Sequence, residues 1–205
     1  MGGVFMKKLL IMLVFVGVLA WGGGVIKDRY TLRNELIRLH VVGQSDSAED
    51  QSVKLQVRDA IITQLESVMS QMPDMETAKS YLQAHLSDIE AISNKALEAA
   101  GSTAKAVVTL AQEAFPTREY DTFSLPAGVY ESLRIIIGEG EGKNWWCVVF
   151  PRFCSAATSE EMKDTAVGAG FSEELGTTLT DKPKTQVRFF VLDCLGWIEN
   201  LFYKI

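Results

Sequence analysis

From Glu35 to Val42 (ELIRLHVV) apolar and polar side chains alternate. Ile37, Leu39 and Val41 point one way, Arg38 and His40 the other, which predicts a half-buried strand. Gly43 to Ser47 is a turn, and Asp46 with Glu49 three residues on resembles a capping box with Asp in place of Ser or Thr. A helix follows to about Met72. Its apolar positions Val53, Val57, Ala60, Ile61, Leu65, Val68 and Met72 recur at helical spacing, and Pro73 breaks it. A second helix is predicted from about Met75 to Ala100 on the stripe Ala78, Leu82, Leu86, Ile89, Ile92 and Ala96, with Gly101 as its C-terminal cap. The two helices are expected to form an antiparallel pair.

The pattern changes at Thr103. AKAVVTLAQEAF is a strand turned by Pro116, and Arg118 to Leu125 alternates as a second, ending at Pro126. Tyr130 to Ile137 and Trp145 to Phe150 are a third and a fourth, joined as a hairpin by Gly138 to Asn144 (GEGEGKN). Residues 155–186 are polar and rich in small side chains, and partial order with short helices is expected there. Val187, Val191, Cys194, Leu195, Ile198 and Phe202 then fit a C-terminal amphipathic helix over 187–205. The fold class is α+β: an N-terminal strand and a helix pair packed on a mostly antiparallel sheet, with a closing amphipathic helix.

Residues 1–26 stand apart. Lys7 and Lys8 precede Leu9 to Ile26, eighteen residues without a charge. A basic start followed by an apolar run is a secretory signal, and the run also reaches the lower limit for spanning a bilayer. Val18 and Ala20 provide small residues for cleavage after Ala20, so a cleaved signal and a retained anchor both fit, and Gly22 to Gly24 weaken the far end of the helix. The two lysines stay in the cytoplasm, which puts residues 27–154, the main domain, outside.

Composition narrows the function classes. The chain has 205 residues, is 47% hydrophobic and 22% charged, and carries a formal net charge of −6. That is globular composition, and the acidic balance argues against nucleic acid as a partner. Three Cys and two His are too few for a typical zinc or iron–sulfur site. GEGEGKN is not a phosphate loop, because its two Glu repel phosphate and a strand rather than a helix follows it.

The candidate chemistry is sparse. His40 with Ser45 or an acidic residue, Asp46 and Asp50 being near in sequence, is the one arrangement that suggests a hydrolase, and it requires the base within hydrogen-bond reach of the nucleophile. Ser45 and Asp46 have a sufficient alternative role at the helix start. Asp50, Lys54 and Arg58 share one helix face at i, i+4 and i+8, with Asp50–Lys54 a favourable pair. They form either a solvated face or, beside Arg38 and His40, a strip for a partner. Cys147 and Cys154 flank Phe150-Pro151 and can form a disulfide outside the cytoplasm, if the proline brings their Cα atoms within about 7 Å. Cys194 is left as a small buried residue of the last helix. Trp145 and Trp146 point to opposite faces of their strand.

Two long segments, IRLHVVGQSDSAEDQSVKLQVRDAII and LPAGVYESLRIIIGEGEGKNWWCVVFPRFC, resemble the stage II sporulation protein R family of endospore-forming bacteria over roughly Leu36 to Cys154. The departures are local, at Gly43-Gln44 and Arg152-Phe153. The resemblance implies a signalling protein rather than an enzyme, without a cofactor. Members of that family are made in the forespore and exported into the space facing the mother cell, where they trigger a membrane-embedded aspartic protease that removes the pro-sequence of sigma factor E, and the resemblance implies the same for this chain. The family brings no active-site residues to transfer.

Overall fold

The computed structural model describes residues 2–155, 158–181 and 183–203; the outer residues of the N- and C-terminal segments and residues 156–157 and 182 of the polar segment lie outside it. The first helix, α1 (Gly2–Asn34), runs without a break through Gly22 to Gly24, where the sequence predicts a weak end. From Met6 to Asn34 it is long and apolar enough to cross a membrane. β1 (Ile37–Val42) follows, then α2 (Ala48–Met69), α3 (Met75–Ala84) and α4 (Leu86–Ala99). The expected second helix is thus two. The chain leaves helical geometry at His85 (φ −116°, ψ 20°), whose ring stacks on Tyr81 and sits 2.8 Å from its carbonyl oxygen.

β2 (Ala106–Phe115), β5 (Gly128–Ile137), β1 and β6 (Asn144–Phe150) form one mixed sheet in the order β2-β5-β1-β6. β1 is parallel to β5 and antiparallel to β6, and β2 is antiparallel to β5. The predicted strand over Arg118 to Leu125 is instead a small two-stranded ribbon, β3 (Arg118–Glu119) with β4 (Ser124–Leu125). Because β1 inserts between β5 and β6, the glycine-rich connection is not a hairpin. It crosses over the end of β1, with Gly138 at a φ of 58°. Gly142 has no room for a side chain there: a Cβ would lie 2.3 Å from the Ser45 carbonyl oxygen.

Helices cover both faces of the sheet. On one face Val53, Val57, Ile61 and Leu65 of α2, Leu82 of α3, and Ile89 and Leu97 of α4 pack on Ile37, Leu39 and Val41. Truncating any one of these to Ala typically costs about 2–5 kcal/mol. Beyond β6 come α5 (Ser159–Gly168), α6 (Glu173–Thr180) and α7 (Val187–Phe202). The polar segment 155–186 therefore forms helices. Thr158 and Ser172 cap α5 and α6 through the backbone N–H groups of Glu161 and Leu175, and Met162, Ala166, Leu175 and Leu179 are buried. Together with Val25 and Leu32 of α1 and Phe189 and Leu192 of α7, they build a second core on Leu36, Phe115, Tyr130 and Val148. β1, expected to be half-buried, is consequently buried at every position. A central strand between two helical layers has no solvent face.

The predicted stripe of α7 is split: Val191 packs on the second core, while Val187, Cys194, Leu195, Ile198 and Phe202 are exposed. Phe189, Leu192 and Gly196 face the domain, and a Cβ on Gly196 would overlap the Ala127 carbonyl oxygen at 1.6 Å. This close approach at Gly196 turns Val187, Ile198, Phe202 and Cys194 outward, so Cys194 is exposed rather than buried.

Candidate functional site

The second core holds a row of polar groups that cross the sheet. His40 on β1 places Nδ1 2.8 Å from Glu113 Oε1 on β2 and Nε2 2.9 Å from Asn144 Oδ1 on β6. The Ser132 hydroxyl on β5 donates to Glu113 Oε2 at 2.9 Å, and Arg134 Nε lies 3.8 Å from Oε1, near enough for charge attraction but not for a hydrogen bond. The His40 ring stacks on Trp146 at 5.4 Å and meets Phe115 edge-on. Burial by itself raises the Glu113 carboxyl. The His40 hydrogen bond and charge, the Ser132 hydroxyl and Arg134 outweigh that and hold it below the ordinary carboxylate range.

The expected pairing of His40 with Ser45 does not form. Both ring nitrogens of His40 face oxygen atoms of Glu113 and Asn144, and Glu113 stands between His40 and the Ser132 hydroxyl. Ser45 lies elsewhere: its hydroxyl donates to the Asp50 carboxylate and accepts from Ser47 N–H at the start of α2. The N-cap is Ser47, which accepts from Asp50 N–H at 3.1 Å, rather than Asp46. Asp46 instead accepts the Lys143 N–H at 2.7 Å, tying the glycine-rich crossing to the turn after β1. Among the described residues no group of three or more His, Cys, Asp or Glu is placed to hold a metal ion.

The five residues expected to form a partner strip are not gathered on one surface. Arg38 is fully buried, its guanidinium 4.0 Å from the centre of the Phe115 ring and 5.1 Å from that of Tyr130, with Nη2 donating to Tyr120 Oη at 2.8 Å. The aromatic faces offset part of the cost of burying that charge. His40 is buried in the row above. Lys54 is buried too; it turns from Asp50 to donate to the Lys143 carbonyl oxygen at 2.8 Å and to Gln51 Oε1. Burial lowers its pKa, Arg58 and Lys143 add to that, and Asp46 opposes it. Asp50 and Arg58 alone keep access to solvent. Arg58 pairs with Asp59 and lies 5.0 Å over Trp145. Trp146, on the other face, carries Arg118 at 3.3 Å.

Cys147 and Cys154 are joined by a disulfide with their Cα atoms 5.7 Å apart, around the cis Phe150–Pro151 bond. Glu113, Asn144, Ser132 and Tyr120 do not stand out in the sequence. The trace there is a lone acid within the apolar strand Ala106–Phe115, and its partner lies 73 residues away.

An apolar N-terminal helix joined to an α+β domain fits a secreted or membrane-anchored protein. The chain belongs to the stage II sporulation protein R (spore_II_R) family, whose pattern it matches over residues 33–160, and is thus a sporulation protein. It is 28% identical over 226 aligned positions to the stage II sporulation protein R of Bacillus subtilis (strain 168), covering 96% of this chain and all of that protein. No solved structure matches it.

Proposed function

We propose that the protein is an exported sporulation signal that activates a membrane-embedded aspartic protease and so leads to pro-sigma-E processing in the mother cell. Family membership over residues 33–160 carries the reading. α1 supports it as the export segment or anchor, delivering the domain to the space between forespore and mother cell. The rival hydrolase loses its Ser45 form, because Ser45 is held at a helix start by Asp50 and Ser47 while both ring nitrogens of His40 are engaged by Glu113 and Asn144.

The partner contact is proposed at the corner formed by Asp50 and Arg58 beside Trp145. Arg38, His40 and Lys54 act indirectly, by holding the sheet and the glycine-rich crossing in place. Co-purification of the full chain with the membrane protease, followed by an assay of sigma-factor processing, tests the reading. Absence of a complex together with unchanged processing contradicts it.

A further inference from the structure

The outward face of α7 is apolar, and the inward face takes all the charge. Val187, Phe190, Cys194, Trp197, Ile198 and Leu201 recur at three- and four-residue steps and are exposed; Phe190, Trp197 and Leu201 are 64%, 61% and 58% exposed. The three charged residues of the helix turn toward the protein. Arg188 pairs with Asp28 and Glu174, Asp193 accepts from the Thr117 hydroxyl and Ala127 N–H, and Glu199 pairs with Arg29 and Arg33. A helix that only covered a core in water would have the reverse distribution.

Its position says what covers that face. α7 begins where the Arg188 guanidinium packs on Gly24, at the end of the uncharged run, and reaches Arg33 of α1 through Glu199. Residues 9–26, the uncharged run, span about 27 Å at about 1.5 Å each, close to a hydrocarbon core about 30 Å thick. α7 therefore packs beside the stretch of α1 that emerges from it. Lys27 and Tyr30 are exposed on that stretch and Trp21 is exposed about one turn inside the end of the apolar run, residue types that sit near a bilayer–water boundary. We propose that α7 is an interfacial membrane helix: with α1 as anchor and tilted toward α7, it lays its Phe190–Trp197–Leu201 face into the outer surface of the same bilayer and fixes the orientation of the domain above it. This rests on α1 being retained as an anchor.

Cys194 lies within the proposed buried face and is the free cysteine among the described residues, so it can carry the probe. Full-length protein labelled there with an environment-sensitive fluorophore is reconstituted into phosphatidylethanolamine–phosphatidylglycerol vesicles. Flotation reports the anchor. Quenching by acyl-chain bromolipids against quenching by aqueous iodide reports α7. The proposal expects flotation, strong lipid quenching and loss of iodide quenching. It also expects the Trp197→Ser, Leu201→Ser double variant to float with an unchanged melting temperature but to regain iodide access. Flotation with an iodide-accessible, lipid-insensitive probe overturns the α7 proposal alone. Failure to float overturns the anchor and the proposal with it. Iodide protection that grows with the protein-to-lipid ratio without lipid quenching assigns the face to a second copy and also overturns it.

Discussion

His40 and Glu113 meet at 2.8 Å although their strands do not touch, because both side chains reach over β5, which lies between β1 and β2. Ser132 on that intervening strand donates to the same carboxylate. One charged group thus clamps three strands, and its removal leaves buried polar atoms without partners. Glu113→Ala should lower stability by about 2–3 kcal/mol. Urea unfolding at neutral pH measures it; a loss under about 0.5 kcal/mol, typical of an unimportant surface site, would contradict the clamp.

The same carboxylate sets an acid limit. Its folded pKa is depressed from 4.5, chiefly because the His40 interaction, Ser132 and Arg134 overcome burial. A depressed carboxylate contributes stability that is present above the unfolded pKa and is lost as pH falls through the folded pKa. The stability difference between the native chain and Glu113→Gln should therefore be full above 4.5 and shrink steadily below it. A difference that grew on acidification would reverse the assigned sign.

The disulfide closes a short loop at the end of β6, with Cys147 and Cys154 seven residues apart. Constraint of the unfolded chain by a loop of that size is worth about 2–3 kcal/mol. Mass spectrometry of the unreduced exported protein should find the linked peptide pair, and the double Cys→Ala variant should unfold at lower urea by that amount. Free thiols at both positions would refute the bond.

Arg38 and Arg58 separate fold from contact. Arg38→Ala empties a space between Phe115 and Tyr130 and should cost about 2 kcal/mol of stability. Arg58→Ala should stay within about 0.5 kcal/mol in stability yet weaken protease binding by about 2 kcal/mol, roughly 30-fold. Calorimetry and titration of the complex read the two quantities separately. Unchanged binding by Arg58→Ala moves the contact elsewhere.

Much of the fold was legible because it rests on local periodicity. The Val53–Val57–Ile61 stripe, the strand ending at Phe115 and the WWCVVF strand each carry their own signal. Strand order was not legible. Nothing local to Arg38 and His40 says that β5 and β6 will flank them and that a second helical layer will cover them, so an alternating strand looked half-exposed. The inward face of α7 is not local information either: the close approach of Gly196 to Ala127 and the partners of Arg188, Asp193 and Glu199 on other elements select it. Glu113 carries no local signal, because its partner His40 comes from a strand 73 residues away.

Reconstituted processing by the membrane protease decides whether the chain is an activating signal. The protease and its pro-sigma substrate are reconstituted together in vesicles, and cleavage is followed with and without the full-length chain on the extracytoplasmic side, including a folded His40→Gln variant. Cleavage is expected to depend on the chain, and the His40→Gln variant is expected to support it. Cleavage indifferent to the chain would contradict the signalling role. Cleavage abolished by His40→Gln, with folding and protease binding intact, would return His40 to a chemical role.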